Sequence, residues 1–286
     1  MTDSQRYFAK LTIIATLFFP QWEALQIGDG GSRGPECGLS ASEIMTIVLL
    51  YHGSNYRHLK SFYNGVVLTF LRPYFPKAPC YDRFLVLQPR IIAVVTMFMT
   101  SKMGGRKGVY YIDSTALPVC HNLRINRHKT FAGLAAKGKT STGWFFGFKL
   151  HLVFNDAYEI VAVKLTPGNA HDTAPVTTLT KGLTGKLFGD KGYLGKKLAE
   201  SLLKQGLTLM TRVRKNMKVL PMHIADKMLL NRRNMAETII GHIKEFSSLN
   251  LPKHRSVTNA LIHIIAAIIA YQLNPIKPKS ILMINS

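Results

Sequence analysis

The sequence predicts an α/β protein, with an all-α N-terminal region followed by a mixed five-stranded sheet flanked by helices. Three observations carry this. Apolar residues recur at helical spacing through the first hundred positions, then give way to β-branched and aromatic runs after the basic, glycine-bearing segment Lys102 to Gly108. Two of those runs meet at Asn155-Asp156, a hairpin signal. Beyond the hairpin, short apolar runs of strand length alternate with helical ones. The expected boundaries are a helical region over 1–104, a sheet domain over 105–275 and a tail over 276–286.

In the first region, Ser40-Ala41-Ser42-Glu43 has capping-box spacing and opens a helix through about Tyr51. Helical runs follow at Tyr56 to Leu71 and Asp82 to Met103, separated by Arg72-Pro73-Tyr74-Phe75-Pro76. With Arg57, His58, Lys60 and Arg72, these short helices fit a helix-turn-helix reader of DNA, or equally a helical scaffold with a solvated basic face. The earlier break from Gly28 to Pro35 lacks a preceding strand and a Gly-Lys-Ser/Thr ending, and reads as a connector rather than a phosphate loop.

In the second region, Val109-Tyr110-Tyr111-Ile112 reads as a strand ending in Asp113-Ser114-Thr115, and a long basic connection follows from Arg124 to Lys139. Phe145 to Phe154 and Ile160 to Thr166 form the hairpin. Then come a helix over Asp172 to Leu183, a strand over Lys186 to Gly189, a helix over Leu194 to Gln205, a strand over Leu207 to Val213, and helices over Arg232 to Phe246 and Ser256 to Leu273. This is the element order of the ribonuclease-H-like fold, in which the first and fourth strands lie side by side at the sheet's centre.

Charge narrows the choice of partner. The chain carries 37 Lys and Arg against 15 Asp and Glu, net +22, which favours a polyanion: nucleic acid or an anionic membrane surface. Residues 1 to 100 hold 9 basic and 6 acidic side chains, so 28 basic and 9 acidic, net +19, fall in the remainder. Cys37, Cys80 and Cys120 are odd in number and form no C-x-x-C pair, as expected of reduced thiols in an intracellular protein. The run Leu11 to Phe19 has Asp3 before it and no small-residue cleavage site after Pro20, against a signal peptide. Ala260 to Leu273 is short for a membrane span and contains His263 and Gln272; it reads as a buried helix.

Against this positive background, three acids stand out. Asp190, in Gly189-Asp190-Lys191-Gly192-Tyr193, lies where a strand turns into a helix, at the sheet edge where open α/β sheets bind ligands. Asp113 ends the first strand, so the fold order makes the two neighbours although they are 77 positions apart. Two carboxylates at that distance repel unless a cation intervenes, and oxygen-only ligation points to Mg²⁺ or Mn²⁺. The third candidate is Glu237, flanked at spacings of four and seven by Arg233 and Lys244 on one helix face. Each also has an ordinary reading: Asp190 as a turn residue, Asp113 as a turn or helix cap, Glu237 as an exposed ion pair. Their coincidence on three elements of one fold favours a two-metal centre, with ions roughly 3.5–4 Å apart, for in-line phosphodiester displacement.

Several strings carry a family resemblance: Ile112-Asp113-Ser114-Thr115, Val119-Cys120-His121-Asn122, Gly143-Trp144-Phe145-Phe146-Gly147-Phe148-Lys149-Leu150-His151, Thr166-Pro167-Gly168-Asn169, Gly185 to Tyr193, and His254-Arg255-Ser256. From about Ser40 to Tyr271 the chain resembles bacterial insertion-sequence transposases with an Asp-Asp-Glu (DDE) triad, and among them the insertion sequence nine-eight-two family. The resemblance implies that Asp113, Asp190 and Glu237 are the triad of a metal-dependent polynucleotidyl transferase and endonuclease. It implies strand cleavage and transfer at transposon ends, with double-stranded DNA, both terminal inverted repeats and target, as partner. Arg233-x₃-Glu237-x₆-Lys244 also resembles a Tyr-x₂-Arg-x₃-Glu-x₆-Lys signature of related transposases, with Leu230 at the Tyr position. Pairing two ends calls for a homodimer on DNA, in the cytoplasm at the bacterial nucleoid, with no membrane partner. A nuclease or resolvase of the same fold, and a non-catalytic DNA-binding remnant, are the alternatives.

Beside such a site, Arg124, Arg127, His128, Lys129, Lys137 and Lys139 of the long connection are expected to contact phosphates. Lys149 and His151 alternate on one strand face and would both meet DNA, or line a solvated face; Lys191 would touch a phosphate or only solvent. Asp172 reads as a helix cap in preference to an additional acidic ligand, and Trp144 as a core aromatic in preference to a base-stacking one.

Overall fold

The computed structural model describes residues 38–54, 56–141, 143–212, 222–246, 249 and 254–274. The run Leu11 to Phe19, the break from Gly28 to Pro35, Cys37, Val213 and the tail 276–286 lie outside these. The described chain divides into two compact units, one taking the residues up to 102 together with those from 243 onwards, the other taking 103–242.

The first unit, as described, is helical. In α1 (Ala41–His52) the Glu43 N–H donates to Ser40 Oγ at 3.3 Å, and the Ser40 N–H donates to Glu43 Oε2 at 2.8 Å. Two backbone donors that have no partner within the helix are thereby satisfied. The run expected over Tyr56 to Leu71 is shorter: α2 (Leu59–Phe62) passes into a π turn at Tyr63–Val67. The next run is broken into α3 (Tyr81–Leu87), a 3₁₀ stretch at Gln88–Ile91 and α4 (Ile92–Ser101). Pro89 has no N–H to give to the helix ladder, which accounts for the break. The stretch Tyr81–Ser101 is long and apolar enough to cross a membrane. Its Phe84, Leu87, Ile91, Val94, Val95 and Phe98 are buried in the core of the helical unit.

The sheet of the second unit has six strands: β1 (Val109–Cys120), β2 (Ala136–Thr140), β3 (Gly143–Asn155), β4 (Ile160–Pro167), β5 (Gly185–Gly189) and β6 (Leu207–Thr211). Their order is β2-β3-β1-β5-β6, and β4 also pairs with β3. The sixth strand is β2, inside the stretch expected as a connection; Ala-Lys-Gly-Lys-Thr has no apolar face and is held by backbone pairing to β3. β1 also runs to Cys120, well past Ile112, so Asp113 lies within a strand. Pro118, unable to donate to a ladder, sits beyond the pairing of β1 with β5 and beside a register shift.

β1 and β5 pair in parallel, Val109 with Lys186, Tyr110 with Leu187 and Tyr111 with Phe188. The close approach at the start of this pair requires glycine. Gly185 has φ +112° and a Cβ there would collide with the Gly108 carbonyl, which accepts from the Lys186 N–H at 2.7 Å. One sheet face is covered by α5 (Val176–Leu179), shorter than its expected span, and α6 (Lys196–Lys204). Tyr110, Ile112, Val153, Leu187, Val176, Leu179, Leu202 and Leu207 are buried together there. At about 1.5–3 kcal/mol for each fully buried aliphatic side chain, this cluster holds β1 and β5 in place. α7 (Ile224–Asn231), which the sequence reading did not include, is tied to β5 by Lys186 Nζ and Asp226 Oδ1 at 2.6 Å. α8 (Asn234–Phe246) follows. The chain then returns to the helical unit with α9 (Val257–Leu273), whose Ile262, Ala266, Ile269 and Leu273 join its core.

Candidate active site

The parallel register of β1 and β5 brings two of the singled-out acids level. Tyr111 pairs with Phe188, and two residues further along each strand stand Asp113 and Asp190. The chain leaves β5 at Asp190, which precedes the 3₁₀ turn Lys191–Tyr193, so its carboxylate is half-exposed while Asp113 sits deeper. Gly189, just before it, packs against Ile112 and Tyr193, and a Cβ there would be 3.2 Å or less from both side chains or their near atoms.

Arg233, immediately before α8, connects this pair to the third acid. Its Nη2 lies 3.2 Å from Glu237 Oε1, one helical turn on, and 3.9 Å from Asp190 Oδ1. The Arg233 side chain is 10% exposed whereas Glu237 is 64% exposed. The guanidinium thus reaches from a covered position toward two solvent-facing carboxylates. Burial pushes the Asp113 carboxyl up to about 6; the Ser114 N–H, which donates to Asp113 Oδ1 at 2.8 Å, and Arg233 work against this, and the charges of Glu237 and Asp190 add to it.

No group of three or more His, Cys, Asp or Glu side chains among the described residues is gathered at metal-binding distances. Arg233 places a cation beside Asp190 and Glu237. The donor chemistry nevertheless fits a hard divalent ion: carboxylate oxygens with no sulfur or imidazole partner, one of them desolvated and facing two like charges.

The other singled-out residues fall into three groups. Arg124, Arg127, Lys129, Lys137, Lys139 and Lys191 are exposed. Lys149 and His151 do share a face of β3, but that face is covered. Lys149 Nζ donates to Ala170 O at 2.9 Å and pairs with Asp172 Oδ1 at 3.0 Å. His151 is fully buried, its Nε2 2.9 Å from Thr166 Oγ1, and burial lowers its pKa to about 4. A neutral, enclosed imidazole offers no phosphate contact, so the expected DNA contact at His151 is corrected. Lys244 is half-buried on the part of α8 that belongs to the helical unit, where burial lowers its pKa.

Asp172 has a role other than that of a helix cap. It precedes α5 without capping it, and its Oδ1 accepts from Ser114 Oγ at 3.0 Å as well as from Lys149. One carboxylate thereby ties the residue next to Asp113 to the middle of β3. Burial and the charges of Asp113 and Asp172 raise the pKa of the buried Tyr193 hydroxyl. Trp144 is corrected too: it is 54% exposed and not in the core.

Residues 103–257 match the family model of the transposase DDE domain, more than half of the chain. The chain belongs to the DDE-domain transposases. The fold of this transposase is similar to that in a cryo-EM structure of the piggyBac transposase synaptic complex with hairpin DNA. That likeness has a TM-score of 0.53 at 11% sequence identity and covers 95% of this chain and 74% of the other. Curated proteins gave no match. The protein is a DNA transposase built on a mixed α/β fold.

Proposed function

We propose that this transposase cuts and joins DNA at the ends of its own insertion sequence, by phosphodiester hydrolysis followed by strand transfer, with Asp113, Asp190 and Glu237 as its triad. The observation that carries the reading is the level placement of Asp113 and Asp190 by the β1–β5 register, with Arg233 joining Asp190 to Glu237. The order of strands supports a ribonuclease-H-like arrangement of the sheet domain, and the sequence strings support membership of the insertion sequence nine-eight-two family of bacteria.

In this reading the three carboxylates hold Mg²⁺ or Mn²⁺, two ions in all. Bound there, the ions supply a polarised nucleophile, water or a 3′-hydroxyl, and stabilise the leaving oxygen. The chain's own residues do the rest. The Asp172 bridge between Ser114 and Lys149 fixes β1 against β3 where Asp113 is held. Arg233 offsets the mutual repulsion of Asp190 and Glu237 and presents a donor to a phosphate. The exposed lysines and arginines of the sheet unit, within a net charge of +22, hold the DNA backbone. Two protomers acting on paired ends at the nucleoid complete the proposal.

The test uses a plasmid carrying the reading frame with its flanking DNA, a separate target, and the full-length protein with Mg²⁺, Mn²⁺ or EDTA. The reading requires cuts at the boundaries of the element and joined products in either metal, with neither in EDTA. Cutting at branched junctions without regard to those boundaries would overturn it.

A further inference from the structure

Trp144 is a large aromatic side chain that the fold leaves in solvent, 54% exposed at the start of β3. Its cross-strand partner on β2 is Lys139, and Lys137 stands two residues away, so the three side chains share one face of the sheet. The ammonium groups lie over the indole, Lys137 Nζ 5.1 Å and Lys139 Nζ 5.7 Å from the ring centroid. The neighbouring 3₁₀ turn, Asn122–Arg127, is fastened to the same point by Asn122 Nδ2, which donates to the Trp144 carbonyl at 2.7 Å, and it carries the exposed Arg124 and Arg127.

We propose that Trp144, flanked by Lys137 and Lys139, is a stacking platform for an unpaired base of the DNA strand. The inference rests on the transposase reading above and extends it to a second contact. A flat, exposed ring with two ammonium groups over it, each on a flexible four-carbon stem that can swing from the ring to a phosphate, matches a nucleobase with a phosphate on either side, and a base already stacked within a duplex cannot offer its face. The platform is separate from the acids. Trp144 stands eight residue steps along β3 from Leu152, the partner of Asp113, roughly 27 Å at about 3.4 Å per residue.

The protein has two tryptophans, so Trp22→Phe leaves Trp144 as the sole indole fluorophore. Emission is followed in EDTA during titration with oligothymidylate, with a fully paired duplex, and with the same duplex carrying a short single-stranded gap. The platform requires strong quenching by the oligothymidylate and the gapped duplex and little by the paired one. By anisotropy of a dye-labelled oligothymidylate, Trp144→Ala, at an exposed position, lowers affinity on the order of tenfold while Trp144→Phe restores most of it, and Lys137→Gln with Lys139→Gln flattens the salt dependence. Equal quenching by paired and unpaired DNA, or unchanged affinity in Trp144→Ala, would overturn the platform. Because these readouts need no metal and no cleavage, an inactive triad leaves them intact, and normal cleavage without quenching removes the platform alone.

Discussion

Arg233 reaches Asp190 across elements at 3.9 Å, from a position that is 10% exposed toward a carboxylate that is 52% exposed. A cation placed this way reduces the repulsion among Asp113, Asp190 and Glu237. Arg233→Met is therefore expected to lower stability in EDTA by about 1 kcal/mol, a small figure because both acids face solvent. The variant should gain more from Mg²⁺ than the parent does. Thermal unfolding with and without Mg²⁺ checks this, and equal shifts for the two proteins would count against a shared carboxylate centre.

Lys149 and Asp172 form the most enclosed ion pair near the site, with side chains 14% and 36% exposed. Removing the lysine leaves the carboxylate with Ser114 alone. Lys149→Met should cost about 1–3 kcal/mol, and Asp172→Asn, which keeps the Ser114 contact, should cost less. Denaturant unfolding of both single variants and the double gives the coupling, expected near 1 kcal/mol.

Gly185→Ala should harm the sheet at its central pair. The position combines a left-handed backbone with close contact to the Gly108 carbonyl. A loss of more than about 1 kcal/mol is expected from the backbone conformation alone, with DNA cleavage falling in parallel. Circular dichroism melts and a cleavage assay on the same preparation read both effects.

The adjacency of the strands that carry Asp113 and Asp190 was legible because strand order is written in apolar runs, and the parallel pair β1–β5 follows from that order. Other features were hidden for physical reasons. β2 presents Lys137 and Lys139 and owes its place to backbone hydrogen bonds, which leave no apolar trace. Trp144 read as core because aromatic residues usually are, whereas its ring is beside those lysines at an edge. The alternation that put Lys149 and His151 on one face was sound, but the return of Ala170 and Asp172 over that face depends on tertiary packing. Pro89 did signal its break, and the helical reading ran through it.

Acid should destabilise the protein through its buried histidines. His254 in the helical unit and His151 in the sheet unit are each lowered by burial to about 4, and His263, 2.7 Å from His52 between ring nitrogens, is lowered well below its ordinary value by burial. On unfolding, each returns to an ordinary value near 6.5 and takes up a proton below it. These groups therefore do not penalise stability above about pH 6.5, and stability falls as pH drops from there toward 4. Denaturation midpoints measured across that range should decline, and more gently in His254→Gln.

The most direct measurement is metal-dependent cleavage by Asp113→Ala, Asp190→Ala and Glu237→Ala, scored beside binding of the same DNA. All three variants should bind DNA at near-parental affinity, and none should cleave in Mg²⁺ or Mn²⁺. Cleavage retained in any one of them would contradict the triad.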